Sequence, residues 1–525
     1  MSNGMVSWRN YEGMSGFGNA SQSDVDALNK ALSAGDEINR PASASAGDGF
    51  SLRVESLEQT LKNTTFRMEH IRLWKAIPKI PAYNTVEEYN QIQSYGNNSF
   101  SSFVTEGQLP VATDATYRRQ YAKVKYMGTQ RAVTHVMSMV KPAHGNVIAQ
   151  ETIAGTMYLL EQLERHLFKG NSSMTNKQVN SDGLEFDGLE KLIIDSETSL
   201  SDHVIDLRGA AITEDNILDA ALTISDAPAF GRPTHLFLNP KAHSDLAKSF
   251  FPKARYDVFQ KTDNGVAGIT LGGVTTQAGV VALEPDVFLD EGPSWPGESA
   301  GGTGATTGTS ARPDVPTLGA VTTPVDARSQ FSAGTGVHDA GDYIYYVRAV
   351  NEFGASNTTS FANFNAGVAV TVAAGDRVQF NITPAGAAVV RYYEIFRTQR
   401  GASLATDTAY YIGRVANEGA AGTGATTFHD INGVSTREGV ASLGVTGTCD
   451  FDAQLPQTSK AFMLQVDPSN LSFAQLAPMV KIPLATIDSS IRWMQLLYGT
   501  PKLYTPRHNV IIKNVGRAAG FVGAP

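Results

Sequence analysis

Two histidines have a spacing that could serve metal chemistry. His235 and His243 flank a short strand and the start of a helix, where a pair of imidazoles could hold a cation. The sequence has no HExxH or comparably clustered ligand spacing of the kind that is typical of protein zinc sites. Ordinary surface or core histidines are therefore the favoured interpretation, and the sequence predicts no metal site.

Carboxylates on one predicted helix form a second candidate for chemistry. Glu151, Glu161 and Glu164 lie at helical spacing together with Arg165, an arrangement that could provide acid–base carboxylates. A solvated helix face, or contacts with a neighbouring subunit, is the favoured interpretation. We therefore keep Glu161 and Glu164 as candidate inter-subunit contacts rather than as catalytic groups.

The sequence shows no pattern for nucleophilic catalysis or phosphate binding. It has no GxSxG motif, and Cys449, the single cysteine, has no evident histidine partner. GTGATTG from Gly302 and GTGATT from Gly422 are glycine-rich, but neither follows a buried strand or leads into Gly-Lys-Ser/Thr. We expect no enzyme activity and no cofactor.

Composition restricts the class of protein further. The chain has 525 residues, 42% of them hydrophobic and 18% charged, enough for two or three globular domains. Its formal net charge of -9 argues against nucleic acid as the main ligand. One cysteine excludes an intrachain disulfide. With no basic leader and no apolar run of roughly 20 residues, we expect no membrane partner and a cytosolic site of synthesis.

The first half of the chain alternates between extended and helical patterns. The first fifty residues are polar, with one helical candidate from Asp24 to Leu32, and predict an extended arm. Alternation between Phe103 and Val140 predicts a long β-hairpin that a neighbouring subunit supports. Its basic residues are further candidate inter-subunit contacts: Arg118, Arg119, Lys123, Lys125 and Arg131.

A long helix and a smaller mixed unit follow the hairpin. Ile153, Met157, Leu160, Leu163 and Leu167 share one face of a helix predicted from about Val147 to Lys169. We expect Gly170 to end this helix in the left-handed conformation. Downstream, a helix capped by Thr213, a strand from His235 to Leu238 and a second helix after Asn239-Pro240 predict α+β packing.

Composition changes sharply near residue 291, where a Gly/Thr/Ser/Pro linker begins. Beyond it, short β-rich runs such as DYIYYVRAVNEFGAS, RYYEIFRTQ and TTFHDI follow one another, and mixed strands and loops resume near Cys449. An inserted all-β domain explains this order better than three tandem domains do.

The order of these elements resembles the major capsid proteins of tailed bacteriophages, whose fold encapsulins share. The resemblance covers about residues 50–290 and 450–515. It implies an α+β fold with an N-terminal arm, an extended loop, a peripheral domain with a long spine helix, and an axial domain. The implied boundaries are 1–75 for the arm, 76–140 for the extended β-hairpin, 141–205 for the peripheral domain, 206–290 for the axial domain, 291–315 for the linker, 316–448 for the insert and 449–525 for the return to both domains.

The insert resembles fibronectin type III and other immunoglobulin-like sandwiches, with YYVRAVNEFGAS and YYEIFRT as its matching segments. We expect it to project from the outer surface on flexible linkers, where it touches neighbouring subunits or binds weakly to host-surface glycans. Under that interpretation, deleting about Pro313 to Thr448 leaves assembly intact.

The resemblance implies a non-enzymatic shell subunit. Such a protein self-assembles as hexamers and pentamers into an icosahedral head that encloses double-stranded DNA without binding it specifically. It would be assembled in the bacterial cytoplasm with scaffold, portal and cement proteins. Covalent crosslinking through Lys123 or Lys125 is disfavoured against plain electrostatic pairing. An encapsulin-like cargo shell and a surface-adhesion protein built on the sandwich are the alternatives.

Overall fold

A computed structural model provides the coordinates of the chain. It describes residues 65, 67–96, 103–140, 145–174, 183–195, 203–258, 271–292, 294–295, 312–356, 369–386, 388–401, 408–417, 424–432, 453–485 and 488–518. The arm up to residue 64, the helix predicted from Asp24 to Leu32, most of the linker and Cys449 lie outside the described residues. The described residues within 65–138 and 148–518 belong to one compact unit.

Two of the helices begin where the sequence supplies an N-terminal cap. Thr213 accepts a hydrogen bond from the backbone N–H of Asn216, and the Asn216 side chain accepts one in return, which confirms the predicted cap. Asn239 accepts from the backbone N–H of Lys241 at 2.8 Å as the next helix begins. Helices α1 to α6 span Leu73–Ala76, His135–Met139, Val147–Lys169, Leu189–Asp195, Glu214–Ser225 and Pro240–Val258.

The strands are numbered β1 to β22 in chain order. They span Lys79–Pro81, Val86–Ser94, Thr116–Lys123, Lys125–Thr134, Val204–Asp206, His235–Leu238, Gly273–Thr276, Gly279–Pro285, Ser294–Trp295, Thr317–Leu318, Gly341–Tyr343, Tyr345–Asn351, Gly354–Ala355, Val370–Val372, Val378–Thr383, Tyr392–Thr398, Ala409–Ala416, Thr426–Asp430, Ser459–Leu464, Leu471–Pro483, Ser490–Leu503 and Val510–Val515. With the helices, they give a mixed α+β chain, as the sequence predicts.

A four-stranded sheet and a six-stranded sheet form the body of the subunit. The first has the order β1-β20-β21-β4, and the second β5-β22-β19-β6-β8-β7. The apolar side chains of α3 pack against both sheets in one core that includes Leu163, Phe168, Phe473 and Phe462. The segment after residue 453 supplies strands to both sheets. Each sheet is therefore complete only when strands from before and after the sandwich pair with each other.

Helix α3, which we call the spine helix, has the predicted bounds but a shorter buried face. Leu160, Leu163 and Leu167 are buried, whereas Ile153 is 64% exposed. Gly170 corrects a second expectation, because it is not among the positive-φ glycines. A Cβ there would lie 2.5 Å from the carbonyl oxygen of His166 and 2.6 Å from that of Phe186, so close backbone packing requires the glycine.

The predicted hairpin between Phe103 and Val140 is wrong in its pairing. Strand β2, which lies before that range, pairs antiparallel with β3 to form a two-stranded ribbon. Strand β4 follows after Val124 and pairs instead with β21 of the four-stranded sheet. Periodicity identifies strands but not their partners, and the mate of β4 lies more than 350 residues away in sequence.

Strands β9 to β18 form a β-sandwich. A five-stranded sheet, β13-β12-β16-β17-β9, packs on a three-stranded sheet, β10-β15-β18, with β11 and β14 paired beside them. Tyr345 and Phe380 join the two sheets with ring centroids 5.8 Å apart. Buried Asp430 on one sheet accepts from Arg397 at 2.7 Å and Tyr345 at 2.8 Å on the other. The immunoglobulin-like identity of this sandwich stays a prediction.

No helix within the described residues is long and apolar enough to span a membrane.

Candidate inter-subunit surface

The inner face of the ribbon (β2 and β3) is fixed to the end of the four-stranded sheet. Lys502 donates to Glu87 at 2.9 Å in a largely buried pair, and this bond lowers the pKa of Glu87. The rings of Tyr89 and Tyr504 meet edge to face at 5.1 Å, and burial raises the pKa of Tyr89 to about 12. The base of the ribbon is therefore held by polar contacts of its own chain.

The outer face and tip of the ribbon carry exposed apolar side chains. In the loop between the strands, Phe103 is 95% exposed and Leu109 is 92% exposed. Tyr117 and Tyr121 are exposed on β3. An extended pair of strands has too little apolar packing of its own to be stable alone.

The basic candidates separate into two groups. Arg119 and Lys123 lie exposed on β3, and Arg119 pairs with Glu88 at 3.3 Å. Arg118 and Lys125 are half-buried. Lys125 donates to the carbonyl of Gly183 at 2.7 Å.

Arg131 does not lie on the ribbon. It sits on β4, 3.6 Å from Glu151 of the spine helix and with its guanidinium over the Tyr158 ring. Both contacts are within the subunit, and β4 itself pairs with β21 in the four-stranded sheet.

Glu161 and Glu164 also have partners within the subunit. Glu161 lies 3.6 Å from Arg165 on the partly exposed side of the spine helix. Glu164 is fully buried and accepts backbone N–H groups of Arg72, Leu73 and Trp74 at 2.6 to 2.9 Å. The prediction of a solvated or inter-subunit role for Glu164 is wrong, since its carboxylate caps the start of α1 instead.

A second buried carboxyl, Asp286, adjoins Glu164. Burial and then the charge of Glu164 raise the pKa of Asp286 to about 8, and burial raises the pKa of Glu164 as well. One oxygen of Asp286 accepts from the backbone N–H of Phe288 at 2.8 Å. Two carboxyl groups at one buried position repel each other when both are ionised, and water does not screen that repulsion. Asp286 therefore holds a proton at neutral pH. Sequence reasoning missed this pair because 122 residues separate its members.

A third buried carboxylate, Glu185, was also missed. It lies in the loop between the spine helix and α4, and it binds two arginines of the sandwich, Arg391 and Arg414. These three residues are far apart in sequence and belong to different predicted domains, so no local signal joins them.

The described residues contain no group of three or more His, Cys, Asp or Glu side chains placed to hold a metal ion. His235 and His243 instead meet Thr234 and the carbonyl of Leu271.

Comparison with known proteins points to the same class of protein as the resemblance seen in the sequence. The chain is 25% identical over 482 residues to the major capsid protein of Staphylococcus phage K, covering 89% of this chain and 91% of that protein. It is 24% identical, with the same coverage, to the major capsid protein of Staphylococcus phage S25-3. The chain is a homologue of phage major capsid proteins. The predictions of a capsid shell protein and of a non-enzymatic role are thereby confirmed.

Solved structures with a similar fold include phage capsids and an encapsulin. The Cyanophage Pam1 capsid has a TM-score of 0.43 at 8% identity and covers 92% of this chain and 100% of its own. The encapsulin of Synechococcus elongatus has a TM-score of 0.35 at 10% identity, with 90% and 97% covered. Because both TM-scores are below 0.5, no structural detail is transferred from them. No family model matches the chain.

Proposed function

We propose that this shell protein self-assembles as hexamers and pentamers into the icosahedral head of a phage, enclosing its DNA. The observation that supports this is the ribbon, whose tip exposes Phe103 and Leu109 almost completely. A subunit that keeps such a tip in water loses the free energy that burial would supply, about 1.5–3 kcal/mol for each large apolar side chain. In a self-assembling protein, a second copy of the chain would bury the exposed tip of the ribbon.

The ribbon is suited to contact a neighbouring subunit. Its base is anchored by Glu87 and Tyr89, so the direction of the ribbon is fixed before any contact forms. A directed contact loses less conformational entropy on assembly than a loose one. Head-to-tail contacts of this kind generate closed rings when the rotation between subunits closes.

Charge on the ribbon would set the register of the contact. Arg119 and Lys123 are the predicted basic candidates that lie exposed. Pairing with an acidic surface of the next subunit would steer assembly more than it strengthens it. Arg118, Lys125, Arg131, Glu161 and Glu164 act within the subunit in this proposal.

We assign the four-stranded sheet with the spine helix to the peripheral domain, and the six-stranded sheet with α5 and α6 to the axial domain. A formal net charge of -9 suits a container that encloses DNA without specific binding. Scaffold, portal and cement proteins would assist assembly in the bacterial cytoplasm. The sandwich would face outward, where weak contact with host-surface glycans is a further proposal.

Negative-stain electron microscopy of the purified full-length chain tests the assembly. Closed shells of uniform size are expected. Soluble monomer alone, with binding to cell-surface glycans, would favour an adhesion protein instead. Shells isolated from the native source and containing protein cargo without DNA would favour an encapsulin-like container.

A further inference from the structure

The loop that follows the spine helix contains a buried ionic contact with the sandwich. The carboxylate of Glu185 accepts from Arg391 at 2.9 Å and from Arg414 at 3.3 Å. It also accepts the backbone N–H of Asn171 at 3.2 Å, and the His166 ring lies 3.8 Å away. Arg391 immediately precedes β16, and Arg414 lies on β17; both strands belong to the five-stranded sheet.

The same arginines bind backbone carbonyls at the end of the spine helix and in the loop just beyond it. Arg414 donates to the carbonyl of Lys169 at 2.7 Å, and Arg391 donates to the carbonyl of Met174 at 3.0 Å. The last carbonyls of a helix have no partner within the helix and carry partial negative charge, so a guanidinium is suited to satisfy them. The sandwich thereby supplies the C-terminal cap of the longest helix in the described part of the chain.

Two further contacts fix the sandwich elsewhere on the body. Arg208, in the loop after β5 of the six-stranded sheet, donates twice to Gln330, at 2.8 Å each. Gln454, which precedes β19 of the six-stranded sheet, donates its backbone N–H to the carbonyl of Ile412 on β17 of the sandwich at 2.9 Å. Its side chain donates to the carbonyl of Glu291 at 2.9 Å. The sandwich therefore bridges the end of the spine helix and the six-stranded sheet.

We propose that the sandwich is an intramolecular brace, with Glu185 as the residue that locks it to the spine helix. Under this proposal, the insert is not a detachable appendage on flexible linkers. The sequence alone predicts that assembly stays intact after deletion of about Pro313 to Thr448. Under this proposal the deletion instead destabilises the subunit, because it removes the partners of Glu185. The brace concerns the folded subunit, so it stands or fails independently of whether closed shells form.

The chain offers a matched control within the same sandwich. Arg377 pairs with Asp326 at 3.1 Å, and the exposed side-chain fractions are 17% and 7%. Arg391 and Glu185 have the same two values, 17% and 7%. The Arg377 pair joins two parts of the sandwich and does not bind the body, so Arg377→Met removes an equally buried ion pair without touching the brace.

Amide hydrogen exchange of the full-length chain tests the lock. Arg391→Met with Arg414→Met should speed exchange about tenfold or more at residues 167–174 and 185–188, because local opening sets these rates. Arg377→Met should leave those amides at wild-type rates. Unchanged exchange in the double variant, or an equal effect of Arg377→Met, would overturn the proposal.

Glu185→Gln provides a second measurement if the double arginine variant does not fold. It keeps the shape of the side chain and both guanidinium groups but removes the charge. Once Glu185 is neutral, adding Arg414→Met should speed exchange at residues 167–174 by a smaller factor than it does in the wild type. Fully independent effects of the two substitutions would show that Glu185 and Arg414 do not act together.

Discussion

The ribbon and the sandwich are both anchored to the body by largely buried ion pairs, yet they differ in how much apolar surface each buries within its own chain. The sandwich has its own apolar core, with Phe380 and Phe428 fully buried, and it meets the body through buried ion pairs. The ribbon has no core of its own and presents Phe103 and Leu109 to water. A region that is satisfied within its own chain stabilises the subunit, whereas a region left unsatisfied is available to another copy. Four substitutions test this distinction.

The largest effect is expected at the tip of the ribbon. Leu109→Asp places a charge where the proposed neighbour would bury an apolar group, so closed shells should disappear from electron micrographs. Thermal unfolding of the monomer should change by no more than about 0.5 kcal/mol, as for other surface substitutions. Val325→Asp is the matched control, because Val325 is 84% exposed but lies on the sandwich. Shells formed normally by the Leu109 variant would break the comparison.

Gly188→Ala should destabilise the platform on which the sandwich is docked. A Cβ there would lie 2.6 Å from the backbone nitrogen of Gly170 and 2.6 Å from the carbonyl oxygen of His166. Backbone atoms cannot move aside as a flexible side chain can, so we expect a loss of about 1–3 kcal/mol in denaturant unfolding. Gly272→Ala is the control, because a Cβ there has no neighbour within 4 Å and Gly272, like Gly188, does not have a positive φ. A similar loss in both variants would show that packing at Gly188 is not the cause.

Asp286→Asn tests the carboxyl pair that holds the segment leading to the ribbon. The pKa of Asp286 is raised to about 8 in the folded protein, so the folded state retains a proton that the unfolded chain releases near pH 4. Its contribution to stability is complete below that pH and is lost as pH rises through about 8. Between pH 5 and pH 9 the wild type should therefore lose stability relative to the variant, with most of the loss below about pH 8. Parallel pH profiles in urea unfolding would contradict the shared proton.

Arg119→Ala is expected to have the smallest effect on the subunit. Its pair with Glu88 is exposed on both sides, and such pairs contribute about 0–0.5 kcal/mol. Stability should therefore be unchanged within that range. A clear decrease in shell yield at low salt, absent at high salt, would assign Arg119 to the inter-subunit contact and sharpen the comparison.

Sequence patterns located the bounds of several elements accurately from local signals, although the left-handed conformation expected at Gly170 was wrong. The spine helix begins at Val147 and ends at Lys169, as predicted, because its apolar spacing and its flanking residues are short-range features. The cap at Thr213 and the turn at Asn239-Pro240 belong to the same class. The shell-protein interpretation rested on the order of such elements, and the homologues support it.

Long-range partners were decided only by the tertiary structure. Alternation identified β3 and β4 as extended, but it did not show that β3 pairs with β2 while β4 pairs with β21. Nor did it show that Glu164 caps α1 or that Glu185 binds Arg391 and Arg414. A glutamate on a predicted helix has the same local pattern whether it faces water or a buried guanidinium. Local sequence therefore determined which elements form, whereas burial, which depends on residues hundreds of positions away, decided what each charged side chain does.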